Sequence, residues 1–131
     1  MKKSTIYIKQ PIWARLLNKI KFPTSNLAEI DLDQDTWYDS EDNFVWSHPD
    51  ANINLINSDS ITLVFNCPVG RDVIFKSKYF NVKHSLKKDK MYTFVIETKG
   101  LKKLNISTEP YCPPDDIRKL GLCFFKITDK L

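Results

Sequence analysis

Between residues 51 and 127 apolar side chains fall mostly on every second position. In Ile61-Thr62-Leu63-Val64-Phe65-Asn66-Cys67 the odd positions are all apolar, the pattern of a strand with one face in a core. Ala51, Ile53 and Leu55 repeat it. Pro68-Val69-Gly70 then predicts a turn, with Gly70 free to take the positive φ of a bulge. Arg71 to Phe75 returns antiparallel, and Phe80 and Val82 head a further short strand. Tyr92, Phe94 and Ile96 alternate again, Lys99-Gly100 turns the chain, and Leu104 and Ile106 lie on the way back. Leu120 to Ile127 is apolar on both faces, as expected of a strand covered on both sides. Six to eight strands at roughly ten-residue spacing predict an all-β fold, an antiparallel β-sandwich of jelly-roll type.

The exception to period two stands near the start. Ile12, Leu16 and Ile20, with Trp13 and Leu17, follow helical spacing, and Pro11 suits a first helical position. The pattern predicts one short N-terminal amphipathic helix ended by Pro23. Residues 1–26 then read as a basic N-terminal segment and residues 27–131 as the β-sandwich domain. Arg15, Lys19 and Lys21 border the apolar stripe. Two placements follow: docking on one open end of the sandwich, or weak contact of residues 11–22 with a membrane surface.

Composition agrees with a globular chain, at 42% hydrophobic and 27% charged residues. Glycine is scarce, and neither phosphate-cradling glycine motif is present. The net charge of +4 is unevenly laid out. Residues 1–22 are basic without an acid, and residues 27–42 are acidic without a base. Cys67, Cys112 and Cys123 are an odd set with no C-x-x-C pair, and no secretory leader or transmembrane run is expected. The reading is a cytoplasmic protein with free thiols, at most peripheral to the inner membrane, with no metal and no cofactor.

Two segments carry a resemblance. Trp37-Tyr38-x-x-Glu41 is followed by Phe44-Val45-Trp46-Ser47. The chain closes on Pro113-Pro114-Asp115-Asp116-x-Arg118-Lys119-Leu120-Gly121-Leu122 before a last strand. From about residue 30 onward this resembles the small β-sandwich module appended to bacterial glycosyltransferases that build surface polysaccharide. That module has an arginine before the tryptophan where this chain has Val45. The resemblance implies a non-catalytic accessory domain and a surface-glycan setting, with a glycan or a glycosyltransferase as partner. It does not imply sugar transfer, since these residues make up no glycosyltransferase domain.

The side chains offer a parallel reading. Trp37, Tyr38, Glu41, Asn43, Trp46 and His48 combine aromatic faces with hydroxyl-binding groups, which suits a sugar ring. Trp37 and Tyr38, beside the acidic loop, are the members expected at the surface. The alternative is that these aromatics are core, in a structural or protein-interaction domain without a glycan site. Asp116 and Arg118 form either a structural latch at the mouth of the last strand or part of a ligand site. Gly121 is expected to let another backbone or a large ring approach closely. A third reading is a small carbohydrate-active enzyme using Glu41 and Asp116. Lysines 76, 78, 83, 87, 88 and 90, with Tyr79 and Phe80, also fit an edge guarded against aggregation better than a nucleic-acid surface, so no nucleic-acid partner is expected.

Overall fold

Period-two alternation becomes pairing once one face of each strand finds a core. The structure, a computed structural model, describes residues 5–9, 29–41, 43–56 and 58–129. The stretch expected to be helical, residues 12–20, lies outside them, as does any membrane contact through residues 11–22. The strands are β1 Thr5–Ile8, β2 Glu29–Leu32, β3 Val45–Trp46, β4 Asp50–Ile56, β5 Ser60–Cys67, β6 Arg71–Lys76, β7 Asn81–Leu86, β8 Lys90–Glu97, β9 Lys103–Thr108 and β10 Cys123–Thr128. A 3₁₀ turn, Gln34–Thr36, follows β2. Among the described residues no helix is long and apolar enough to cross a membrane.

The strands form two five-stranded sheets, ordered β1-β8-β5-β10-β3 and β2-β4-β9-β6-β7. Strand β1 runs parallel to β8, with Thr5 opposite Thr93 and Ile8 opposite Ile96. Every other pairing is antiparallel. Residues 5–8 therefore belong to the first sheet, so a boundary at residues 26 and 27 does not separate a lead from the β fold. The pairs β6–β7, β5–β8, β4–β9 and β3–β10 nest one inside the next. The chain is a long ribbon doubled back at the β6–β7 turn and wrapped over itself.

The alternating apolar positions meet between the sheets. Ile61, Leu63 and Phe65 of β5 and Phe94 and Ile96 of β8 are fully buried, as are Ile53 of β4, Leu104 of β9 and Phe75 of β6. Phe75 and Phe94, from opposite sheets, have ring centroids 4.9 Å apart. The rings continue through Phe65, 5.3 Å from Phe94, to Phe124, 5.2 Å from Phe65. Each such burial stabilises the fold by roughly 1.5–3 kcal/mol.

Two local expectations are corrected. Gly70 does not have positive φ. That conformation is taken by Gly100, at φ 81°, in the turn after Lys99, and by Asp89, at φ 57°, between β7 and β8. A Cβ at Gly70 would stand 3.4 Å from the Leu86 carbonyl oxygen, so its small size eases turn packing instead. Strand β10 does lie inside its sheet, between β5 and β3, but it is not covered throughout. Phe124 pairs with Phe65 and Lys126 with Val64, which leaves Phe125 as the extra residue of a β-bulge. The bulge breaks the alternation and turns Phe125 outward, 42% exposed.

Candidate functional site

Trp37 is placed by the 3₁₀ turn before it. The Asp33 carboxylate accepts from the Asp35 amide at 3.2 Å and caps that turn. Thr36 Oγ1 donates to the Asp33 carbonyl and accepts from the Asn52 amide, at 3.1 and 3.0 Å. This fixes the chain against β4, and the indole swings inward. Trp37 Nε1 donates to the Asn52 carbonyl at 2.8 Å, and its ring meets Phe124 edge-on at 5.2 Å. Trp37 is 6% exposed. The expectation of a surface platform fails here because a neighbouring strand supplies the acceptor that lets an indole be buried.

Tyr38 takes the opposite side. It is half-buried, its ring stacks on His48 at 4.2 Å, and its hydroxyl donates to the Lys119 carbonyl at 2.7 Å. Arg118 Cζ lies 5.2 Å from the centre of the same ring. Arg118 in turn forks onto Asp116, with Nη2 donating to Oδ2 at 2.6 Å and Nε to Oδ1 at 3.0 Å. These bonds, with one from the Arg118 amide, hold the Asp116 carboxyl below its ordinary value of 3.8. Asp116 is thus kept as a carboxylate, which suits it to shaping the loop and not to donating a proton. The Asp116 and Arg118 side chains are 24% and 34% exposed. The pair is a local clasp within the loop, touching the body through Tyr38; it is not what pins the last strand.

That task falls to Ser47 and Gly121. The Gly121 amide donates to the Ser47 carbonyl at 2.7 Å, and the Ser47 amide to the Leu122 carbonyl at 3.0 Å. Ser47 Oγ accepts from the Leu122 amide at 3.0 Å in a buried contact. A Cβ on Gly121 would stand 2.2 Å from Ser47 Oγ and 2.4 Å from the His48 carbonyl oxygen. The expected close approach at Gly121 is therefore present, and no larger residue fits. Arg71, read from sequence only as the start of a returning strand, adds a strut. Its guanidinium donates to the carbonyls of Glu109 and Gly121 and lies 5.9 Å from the Tyr111 ring centre.

Glu41 and Asn43 face elsewhere. The Glu41 amide donates to the Phe44 carbonyl at 2.8 Å, closing a turn that leads into β3. Beside it a groove of about 340 Å³ opens between β2, β3 and β10. Its walls include Leu32, Phe44 and Phe125, and its polar margin is Glu41, Asn43 and Lys126. The rings of Phe44 and Phe125 are tilted to one another with centroids 6.0 Å apart. The side chains of Glu41, Asn43 and Lys126 make no hydrogen bond or ion pair among the described residues, whereas the amides of Asn54 and Asn105 on the second sheet are bonded to aspartates. The pKa of Arg118 is raised chiefly by its bond to Asp116, and that of Cys123 chiefly by burial; the Glu41 charge adds to both in the same direction.

Of the residues expected to form a site, Tyr38, His48, Asp116 and Arg118 stand together, and Glu41 and Asn43 line the groove. Trp37 is core. Trp46 is half-buried, its ring 6.2 Å from Tyr111, and is not part of the groove wall. Sequence reasoning missed Phe44, Phe125 and Lys126. The signal for them was the doubled Phe124-Phe125 followed at once by Lys126 in an otherwise apolar strand. Compared with protein-family models, with curated proteins and with solved structures, the chain matches none.

Proposed function

We propose that this protein is a non-catalytic carbohydrate-binding domain that serves bacterial surface-polysaccharide assembly, and that it binds its glycan in the groove between β3 and β10. The observation that carries this reading is the groove itself. It pairs two accessible phenyl faces, Phe44 and Phe125, with a carboxylate, an amide and an ammonium whose side chains make no hydrogen bond or ion pair among the described residues. Phenyl faces cover the C–H face of a pyranose, and Glu41, Asn43 and Lys126 take its hydroxyls. The nested order of β3 to β10 supports a jelly-roll sandwich, an architecture that lectin domains use. The setting is proposed from the closing Asp116-x-Arg118-x-Leu120-Gly121 signature, with a glycosyltransferase as the protein partner and the cytoplasmic side of the inner membrane as the place.

A glycan array followed by titration with polysaccharide fragments tests the reading. Phe125→Ala should weaken the best glycan at least about 10-fold, the loss of one aromatic contact, and Glu41→Gln should weaken it less. If the wild type and Phe125→Ala are equally inert toward every glycan, the domain is a structural or protein-interaction module. Product released from an oligosaccharide panel, and abolished in Glu41→Gln, would make it an enzyme instead.

A further inference from the structure

We infer that the outer edge along β7 is a second binding surface, one that holds an acidic polysaccharide through lysines. Apart from Arg71, residues 71–90 contain six lysines against two aspartates, a surplus of four in a chain whose net charge is +4. The topology puts this surplus in one place. Strand β7 is the outer strand of the second sheet. Lys76 and Lys78 lie at one end of it, Lys83 in its middle, and Lys87, Lys88 and Lys90 at the other, all exposed. Six strand residues span about 20 Å, so the ammonium groups follow a line and not a disc.

Internal pairing accounts for little of this charge. Lys83 reaches Asp72 at 3.5 Å, and Asp72 also accepts from Ser85 Oγ at 2.8 Å. Lys78 and Lys90 lie over the rings of Tyr79 and Tyr92, at 5.6 and 5.2 Å from their centres, which aims them. Lys76, Lys87 and Lys88 have no acidic partner among the described residues. A line of fixed positive charge attracts an extended polyanion at ranges up to the screening length. A β-strand partner is disfavoured, because lysines on an edge oppose strand addition. Single-stranded nucleic acid needs aromatic faces for its bases, and here Tyr79 and Phe80 are packed against the core. An acidic polysaccharide needs only the charges. This surface is separate from the groove and does not depend on it.

The test uses the full chain at low salt with polygalacturonate, its neutral methyl ester, an oligothymidine and vesicles of phosphatidylserine in phosphatidylcholine. Polygalacturonate should bind, weaken steeply as salt rises, and outbind the other three. Lys76→Glu, Lys87→Glu and Lys88→Glu together should weaken it at least about 10-fold, roughly 1.4 kcal/mol. If the triple glutamate variant loses its far-UV β spectrum, the triple glutamine variant decides, with a loss in the same direction. Absence of binding at low salt, indifference to the substitutions, or tighter binding of oligothymidine or vesicles overturns the inference.

Discussion

Arg118 and Gly121 are close neighbours in the closing segment, yet one fastens it in water and the other in a sealed interior. At Asp116 and Arg118 the chemistry is strong but the setting is not, since solvent competes for both partners. At Gly121 the groups are ordinary amides and a serine hydroxyl. There the absence of a side chain lets two backbones touch, and water is excluded. A conspicuous charge pair is thus a weaker hold than a missing Cβ.

The sharpest way to break the comparison is Gly121→Ala. With its new methyl carbon against the His48 carbonyl, the variant should lose about 3 kcal/mol or more in chemical denaturation. A loss below about 1 kcal/mol would mean that the backbones separate easily and that the two fastenings are alike. Cysteine labelling follows. Cys112, in the exposed loop, should react with an alkylating reagent at pH 8 while Cys123 stays intact. Burial and the Glu41 charge push the Cys123 thiol up to about 11 from 9.0, which alone lowers its reactive thiolate about 100-fold. Ser47→Ala should then destabilise by about 1–2 kcal/mol, because the buried Leu122 amide loses its acceptor.

The smallest effect is expected of Arg118→Ala, a shift in melting midpoint below about 4 °C. Its pH dependence sharpens the contrast. The Asp116 carboxyl is held below 3.8 in the fold, so the clasp is fully present above that value. Its contribution is lost as pH falls through the lowered folded value. The gap between wild type and Arg118→Ala should stay constant from pH 8 to about 5 and close only in stronger acid. A gap that changes near neutrality would assign the effect to another group.

Strands β4, β5, β8 and β9 were legible because one-sided burial writes itself into every second residue. Strand β1 was not, since Thr5-Ile6-Tyr7-Ile8 is short and its neighbour in the sheet, β8, stands far along the chain. Trp37 and Tyr38 carry the same aromatic signal in sequence. Only the capped turn at Asp33 decides which faces the core and which faces water. Gly121 was read correctly as a point of close approach, since a lone glycine in an apolar run is unusual. Arg71 was passed over because its partners are two carbonyls, and carbonyls leave no mark in a sequence. Phe125 was legible only as an irregularity, and the bulge that turns it outward arises from its neighbours' pairing.

The nested pairing has a consequence for the order in which this protein acquires its shape. Strand β10 follows every other strand in the chain but belongs between β5 and β3. Local hairpin β6–β7 can zip early, whereas the flank of β5 must wait uncovered until distant residues arrive. Newly made or partly refolded molecules therefore carry a sticky, Phe65-bearing seam, and their yield should depend on temperature and concentration more than the finished fold's stability would suggest.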